Sequence, residues 1–489
     1  MEFPLDLKKA MLYLKLNKYL EAERFLEKAK NNTYNYEKIN QILWLMVFRD
    51  LKANQVEKLK EHLSEINNRK DNFKINLKYP LEIFFNKNKF TAQQYLEFIT
   101  KFNKDRKIDF MFYFAPFIFS DNEEILYDTS KGFIFKDKQN VKSLEEMVSY
   151  NSKFIDIIQE DPITRVSKLK EYIKEDSYSY IYYNLALCYA QISDFHNAYK
   201  YFSKAYKLNP GNKLYSIMTI ISANKIDKKL RDYEYIEQNI KSKNGMYKYF
   251  GQMLYKIFLN SEATVKYDPL NYKNTIFYKS LDYLGKLEEN KINLDHPLFT
   301  EHYKDPLIYL MKFTIRKENE SDYEYFSRLQ DNIPLKINNN FLEASLLVTH
   351  FYIDLLKSIG LFYKADFTID TKITPSYQRT KALIDLYNNK PGKTIKILEE
   401  LQQKYNLEDK YTMYLVVAAL LELGQYNDAS IQISLIKAIL NDKGADFLTG
   451  VQLIQELKLN SASIYFNEPY MGSLIDFRIN NFDELLESL

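Results

Sequence analysis

Cysteine occurs once in this chain, as Cys188. An internal disulfide and a cysteine-built zinc site are therefore excluded. A single thiol in 489 residues also fits a protein that works outside the cytoplasm, where stray thiols are avoided. Glycine and proline are scarce, at 11 and 12 residues. A chain this long built from β-hairpins or around a nucleotide-binding sheet needs more turn glycines, so the scarcity favours helices joined by short turns. No window holds 18 uncharged apolar residues, and the most apolar stretch, Phe110 to Phe119, is too short to span a bilayer. No transmembrane helix is expected. Met1 to Leu14, with Lys8 and Lys9 inside it, reads as the start of an amphipathic helix rather than a signal peptide. An anchor or export signal would have to lie outside this chain. Charge of one sign is also lacking: 68 basic residues stand against 65 acidic ones, with no long basic stripe. Nucleic acid is not an expected partner.

What is present is a folded composition, 46% hydrophobic and 27% charged. The length exceeds one compact core and predicts two to four units or one extended solenoid. Tyrosine (42) and phenylalanine (33) are abundant, while tryptophan occurs only as Trp44. Aromatic wedges between stacked helices account for part of this excess, and AT-rich coding for the rest.

The segment Ser179 to Pro210 reads as a helical hairpin. Tyr182, Leu185, Ala186 and Tyr189 form one apolar face, and Phe202 and Ala205 another. Ala198 is a small residue where two helix axes could approach closely. Asn209-Pro210-Gly211 reads as a stop. At these positions the segment resembles the tetratricopeptide repeat, with Tyr182 at the first aromatic place, Phe195 at the turn, Ala198 at the helix crossing and Pro210 at the end. Degenerate copies share the register at Ala10, Tyr13, Tyr19, Ala22, Leu26 and Ala29, and at Val417, Leu420, Tyr426, Ala429, Ile433 and Ile436. A further unit is expected around Ala382 to Leu401. The fold predicted is an all-α solenoid of helix pairs with irregular inserts and at most a short β-hairpin.

Five consecutive blocks follow: repeat-like helices over 1–104, an aromatic insert over 105–145, a central repeat block over 146–260, irregular helices over 261–370, and a C-terminal repeat block with its cap over 371–489. In the insert, Phe110 to Phe119 reads as extended around Pro116, and Leu126 to Phe135 as a hairpin. Phe341 to Tyr363 reads as a buried helix ending at Gly360. Ser461 to Leu489 reads as a helical cap with a polar outer side.

Candidate chemistry is thin. His296 and His302 lie beside Asp295 and Glu301, but a six-residue spacing does not stack two metal ligands on one helix face, and surface loop residues are expected instead. His350 reads as a core histidine, and His196 as an exposed turn residue. Pro391-Gly392-Lys393-Thr394 imitates the end of a phosphate-binding loop, yet Tyr387 stands where that motif needs glycine. A helix–helix turn is expected there. Cys188 reads as a small buried hydrophobe. No catalytic residue, metal or cofactor is predicted.

Recognition of other proteins remains. By resemblance, first helices of tetratricopeptide arrays line a concave groove. The corresponding positions are Tyr180, Tyr183, Leu187 and Gln191 in the central repeat, and Tyr411 and Tyr414 in the C-terminal copy. Either these tyrosines form an amphipathic binding groove, or they pack against the neighbouring repeat. Tyr180 and Tyr183 replace the basic residues with which some family members clamp a C-terminal carboxylate. The composition, the degenerate repeats and the low cysteine count are similar in style to the paralysed-flagellum scaffold proteins of Campylobacter-type bacteria. That resemblance implies a structural part of a flagellar motor, in the periplasm, with other motor components or a second repeat scaffold as partners. The alternatives are a cytoplasmic adaptor or chaperone-like regulator that binds peptides, and an enzyme with a site in 261–345.

Overall fold

The structure is a computed structural model that describes residues 5–68, 106–135 and 148–455, with short gaps inside these ranges, and positions 145 and 465. The described chain is all-α apart from one small sheet, with helices packed in successive pairs as in an α-solenoid. In chain order the helices begin with α1 (Leu5–Lys15), α2 (Tyr19–Asn31), α3 (Tyr36–Ala53), α4 (Val56–Asn68) and α5 (Lys107–Phe114). Strands β1 (Phe117–Ile118), β2 (Ile125–Asp128) and β3 (Gly132–Phe135) follow. Next come α6 (Ser152–Ile158), α7 (Pro162–Tyr172), α8 (Ser179–Gln191), α9 (Phe195–Leu208), α10 (Lys213–Lys225), α11 (Tyr233–Lys241), α12 (Lys248–Phe258) and α13 (Ile276–Leu287). The chain continues through α14 (Pro297–Glu301), α15 (Pro306–Thr314), α16 (Asp322–Asn332) and α17 (Leu346–Ser358). It ends in α18 (Pro375–Tyr387), α19 (Pro391–Tyr405), α20 (Lys410–Glu422), α21 (Tyr426–Leu440) and α22 (Gly444–Gln455).

Local chemistry explains these boundaries. Helices α7, α14, α15 and α18 each open with a capping side chain followed by proline: Asp161-Pro162, His296-Pro297, Asp305-Pro306 and Thr374-Pro375. Pro162, Pro297, Pro306 and Pro375 are thus first residues of helices. Three repeat-like hairpins, α1–α2, α8–α9 and α18–α19, share one crossing. Ala10 and Ala22, Ala186 and Ala198, and Ala382 and Thr394 are all fully buried, and each pair has the same twelve-residue offset, as do the buried Val417 and Ala429. The small side chains let the two helices meet closely. At the odd member, the Thr394 hydroxyl donates to the Ala382 carbonyl at 2.9 Å, which satisfies the polar atom in place. The phosphate-loop imitation is therefore the start of α19, as a helix–helix turn requires.

By packing, the chain forms two compact units. One compact unit joins its two ends, Met1–Tyr95 with Tyr414–Leu489; the other is Leu96–Met413. In the first unit, Leu7, Ala10, Leu14, Ala22 and Leu26 form the core of the α1–α2 hairpin together with Ile42 and Leu43 of α3. Arg49 is fully buried there between Glu23 (2.9 Å) and Asp50 (2.6 Å), and Asp50 also bonds His62 at 2.6 Å. Burial raises the pKa of Tyr19, and the nearby Glu422 of the C-terminal stretch adds to the effect.

In the second unit the helices close around an inner segment. Helix α5 packs against α8, α13 and α17, and α7 packs against α18 and α19, so early and late helices meet. The Ser376 amide donates to Asp161 at 3.2 Å, and Arg379 donates to the Ile192 carbonyl at 3.3 Å. The extended run expected over Phe110 to Phe119 is corrected here: residues up to Phe114 are helical, and only Phe117–Ile118 is strand. Phe110, Met111, Phe112 and Phe114 are all buried, so α5 is apolar on nearly every side and shows no helical stripe. The expected hairpin is present as β2 and β3, antiparallel with Asp128 opposite Gly132, and β1 adds a third strand. Gly132 sits at φ +80°, a conformation that favours glycine. Gly360, residues 69–104 and the cap expected over 461–489, position 465 apart, lie outside the described residues.

Candidate functional site

The face of α8 chosen from the sequence as a groove is where the inner segment lies. Tyr183 donates through its hydroxyl to the Pro116 carbonyl at 3.1 Å, and Tyr180 to Asn151 at 3.1 Å. The Gln191 amide donates to the Phe112 carbonyl at 3.3 Å and its oxygen accepts from Arg165 at 3.1 Å. Asn184, fully buried one turn along, accepts from the Ile118 amide at 2.9 Å and donates to the Ile118 carbonyl at 2.6 Å. That pair of bonds satisfies the outer edge of β1, as a neighbouring strand would. Phe112 packs on Phe195 and Phe202 of α9, each at 5.9 Å between ring centroids.

Three carboxylates extend the contact along the array. Asp121 accepts from the Ser179 amide at 2.9 Å, from the Ser179 hydroxyl, and from Tyr215 at 3.3 Å. It satisfies the first turn of α8, whose own N-cap, Tyr178, makes no side-chain cap bond. Glu124 accepts from the Tyr247 amide at 2.8 Å, just before α12, and from the Tyr272 hydroxyl at 2.7 Å. Asp128 accepts from the Ile276 amide at 3.0 Å, at the start of α13. The inner segment therefore terminates three helices as well as filling the space between them. The favourable position of acids at helix N-termini adds to each bond.

Burial governs the titratable groups. The Tyr183 hydroxyl is held far above its usual range by desolvation, and the Cys188 thiol is pushed up to about 11 by the same cause. Cys188 is the inert hydrophobe expected. Desolvation raises Asp194 to about 6 against the hydrogen bonds from Asn197, and Asp305 to about 6 against those from Ile308 and Tyr113. Lys213 falls to about 8, chiefly by burial, although its ammonium donates to Asn239 twice and to Ser242, all at 2.6 Å.

The repeat-defining residues Tyr182, Leu185, Ala186, Tyr189, Ala198, Phe202 and Ala205 are all buried, and Pro210 follows the end of α9. Tyr182, Tyr201 and Tyr189 stack in line, with centroids 6.4 and 5.6 Å apart. Comparison with protein families matches residues 179–212 to the tetratricopeptide repeat. The chain carries a tetratricopeptide repeat. The comparison with curated proteins returns no match. Of the two alternatives for its inner face, packing within the chain is what the structure describes for this repeat. Tyr180, Tyr183 and Leu187 are buried and Gln191 is half-buried, because the chain's own residues cover them. Tyr411 is buried with its ring edge-on to His350 at 4.9 Å and the Arg379 guanidinium 5.4 Å away. Tyr414 is buried too and donates to Asp442 at 2.7 Å.

His296 and His302 are also corrected, from loop surface to interior. His296 Nδ1 accepts from the Leu298 amide at 3.2 Å, so Nε2 carries the proton donated to Asp282 at 3.0 Å. His302 lies 3.4 Å from the Lys279 ammonium. His350 is the core histidine expected, and His196 is half-buried. Among the described residues, no group of three or more His, Cys, Asp or Glu side chains is placed to hold a metal ion. No described helix is long and apolar enough to cross a membrane.

Asn184, Asp121, Glu124 and Asp128 escaped the sequence reading. Asn184 had a signal: it is the one amide in an otherwise aromatic and aliphatic stretch from Tyr180 to Ala190. A buried amide of this kind needs a partner for each of its groups.

Proposed function

We propose that this protein is a non-catalytic scaffold that binds other proteins through its outer helix faces and the ends of its repeat blocks. The observation that carries the reading is the occupied inner face of the tetratricopeptide repeat. Phe110, Phe112, Phe114, Phe117, Ile118 and Phe119 of the inner segment are all buried. Each apolar side chain so buried contributes about 1.5–3 kcal/mol, and a whole domain is stable by only about 5–15 kcal/mol. A peptide that displaced the segment would have to offset most of the unit's stability. We infer that the groove positions Tyr180, Tyr183, Leu187 and Gln191 spend their recognition chemistry within the chain. This weighs against the peptide-binding adaptor. For an enzyme in 261–345 the two histidines of that region, His296 and His302, are both buried, and His296 caps α14 and bonds Asp282.

The assembly that suits such a scaffold, by composition and repeat style, is a bacterial flagellar motor. Affinity capture of the tagged full-length protein from its native cells, after mild crosslinking, tests this by mass spectrometry. Motor or other envelope components recovered in stoichiometric amounts are the expected result. Soluble, substoichiometric clients would reject the motor and return the adaptor to the front.

A further inference from the structure

Helix α1 is apolar on two sides. Leu7, Ala10 and Leu14 are buried in the core of the first unit. On the outer side Leu5, Leu12 and Leu16 stand 66%, 56% and 55% exposed. In helical projection the three fall on one narrow stripe, a line of about 16 Å. Lys8 lies on one flank of the stripe and Lys9 on the other. Beyond Lys9 lies the seam with α2. There the Lys9 and Lys28 ammonium groups both sit over the Phe25 ring, 5.5 and 5.9 Å from its centroid, and Phe25 stacks on Tyr13 at 5.4 Å. Other cations of the unit are paired: Lys30 with Glu65, Arg49 with Glu23 and Asp50, and Lys58 with Glu23. Among the described residues, Lys8, Lys9 and Lys28 have no acidic partner.

We propose that this face of the α1–α2 hairpin docks on an anionic lipid surface. Charge selects the partner first. On this side of the hairpin the cations Lys8, Lys9, Arg24 and Lys28 stand against the acids Asp6 and Glu21. Two ammonium groups brought to one ring repel each other, and an anion beside them relieves that repulsion. Shape selects it second. Each leucine of the stripe is more than half exposed, so the stripe is a ridge and not a groove. A small ligand or peptide needs concavity, whereas a plane of headgroups meets a ridge along its whole length. The side chains then suit successive depths. The leucines enter the acyl boundary, Tyr13 lies at headgroup level, and the lysine stems hold their ammonium groups among the phosphates. The contact is peripheral and independent of the protein partners proposed above.

Cosedimentation of the full-length protein with extruded vesicles tests this. The vesicles are phosphatidylcholine alone, or phosphatidylcholine mixed with phosphatidylglycerol. The expected result is binding to the mixed vesicles that weakens as salt is raised, and little binding to phosphatidylcholine alone. Lys8→Gln and Lys9→Gln should each weaken partitioning about fivefold, and Leu12→Ser severalfold. All three variants should keep the thermal midpoint in place, because the side chains they alter are exposed. Leu208→Ser, at a leucine 54% exposed in the second unit, is the control and should leave partitioning unchanged. Failure to bind the mixed vesicles, equal binding to both kinds, or binding indifferent to Leu12→Ser or to Lys8→Gln would overturn the proposal. A concentration-dependent dimer that Leu12→Ser abolishes would overturn it too, in favour of a second copy on this ridge.

Discussion

At the residue scale, the second unit depends on a few polar side chains acting far from their own place in sequence. Asp121 bonds Ser179 across 58 positions, Glu124 bonds Tyr247 across 123, and Asp128 bonds Ile276 across 148. Replacing Asp121 by Ala leaves the first turn of α8 uncapped and should cost about 1–3 kcal/mol, read as a shift in the urea midpoint. The same change at Glu262, exposed and bonded to Asn260 through its amide, should leave the midpoint in place. A second expectation concerns pH. Asp194 and Asp305 are raised from 3.8 to about 6 when folded. Their folded values exceed the unfolded ones, so their contribution is fully present below about 3.8 and is lost as pH rises through about 6. Lowering the pH from 7 to 5 should therefore stabilise the unit by about 1 kcal/mol for each group. Asp194→Asn and Asp305→Asn should each flatten that rise in thermal unfolding; an unchanged slope would show that the groups ionise freely in the fold. The carboxyls of Glu23, Asp282 and Glu320, which are held below their usual range, lose their contributions only at more acidic pH.

At the scale of elements, the repeat hairpins were legible because they obey a local rule. A small residue, twelve positions and a second small residue recur with apolar faces between them, and the structure has a helix pair at each such place. Overpacking the crossing by Ala198→Leu should cost about 1–3 kcal/mol or more, whereas Thr394→Val, close in volume, should lose only its hydrogen bond, about 1 kcal/mol. Comparing the two unfolding midpoints checks whether close approach or polarity matters more at the crossing. Helix α5 was not legible, because a helix buried on most sides shows no stripe. Alternating Phe110, Phe112 and Phe114 then imitate the period of a strand. The caps were not legible either. A carboxylate in a turn reveals nothing about which distant amide it will meet. The occupied groove follows from the same limit: family positions identify which side chains face inward, but only the fold shows what they face.

At the scale of the molecule, each unit has its own logic. The second is a helical array packed around its inner segment, which covers the inner face of α8. The first gathers both ends of the chain, Met1–Tyr95 with Tyr414–Leu489. Its helices α1 to α4 leave the ribosome well before the rest of their compact unit, which includes residues synthesised more than three hundred positions later. At about 5–20 residues per second, the early helices wait some tens of seconds with part of their apolar surface uncovered. Leu5, Leu12, Leu16 and Leu20, still exposed in the finished fold, lengthen that liability. In this unit, therefore, the apolar faces of the early hairpins stay open to wrong contacts until the later helices of the same unit are made.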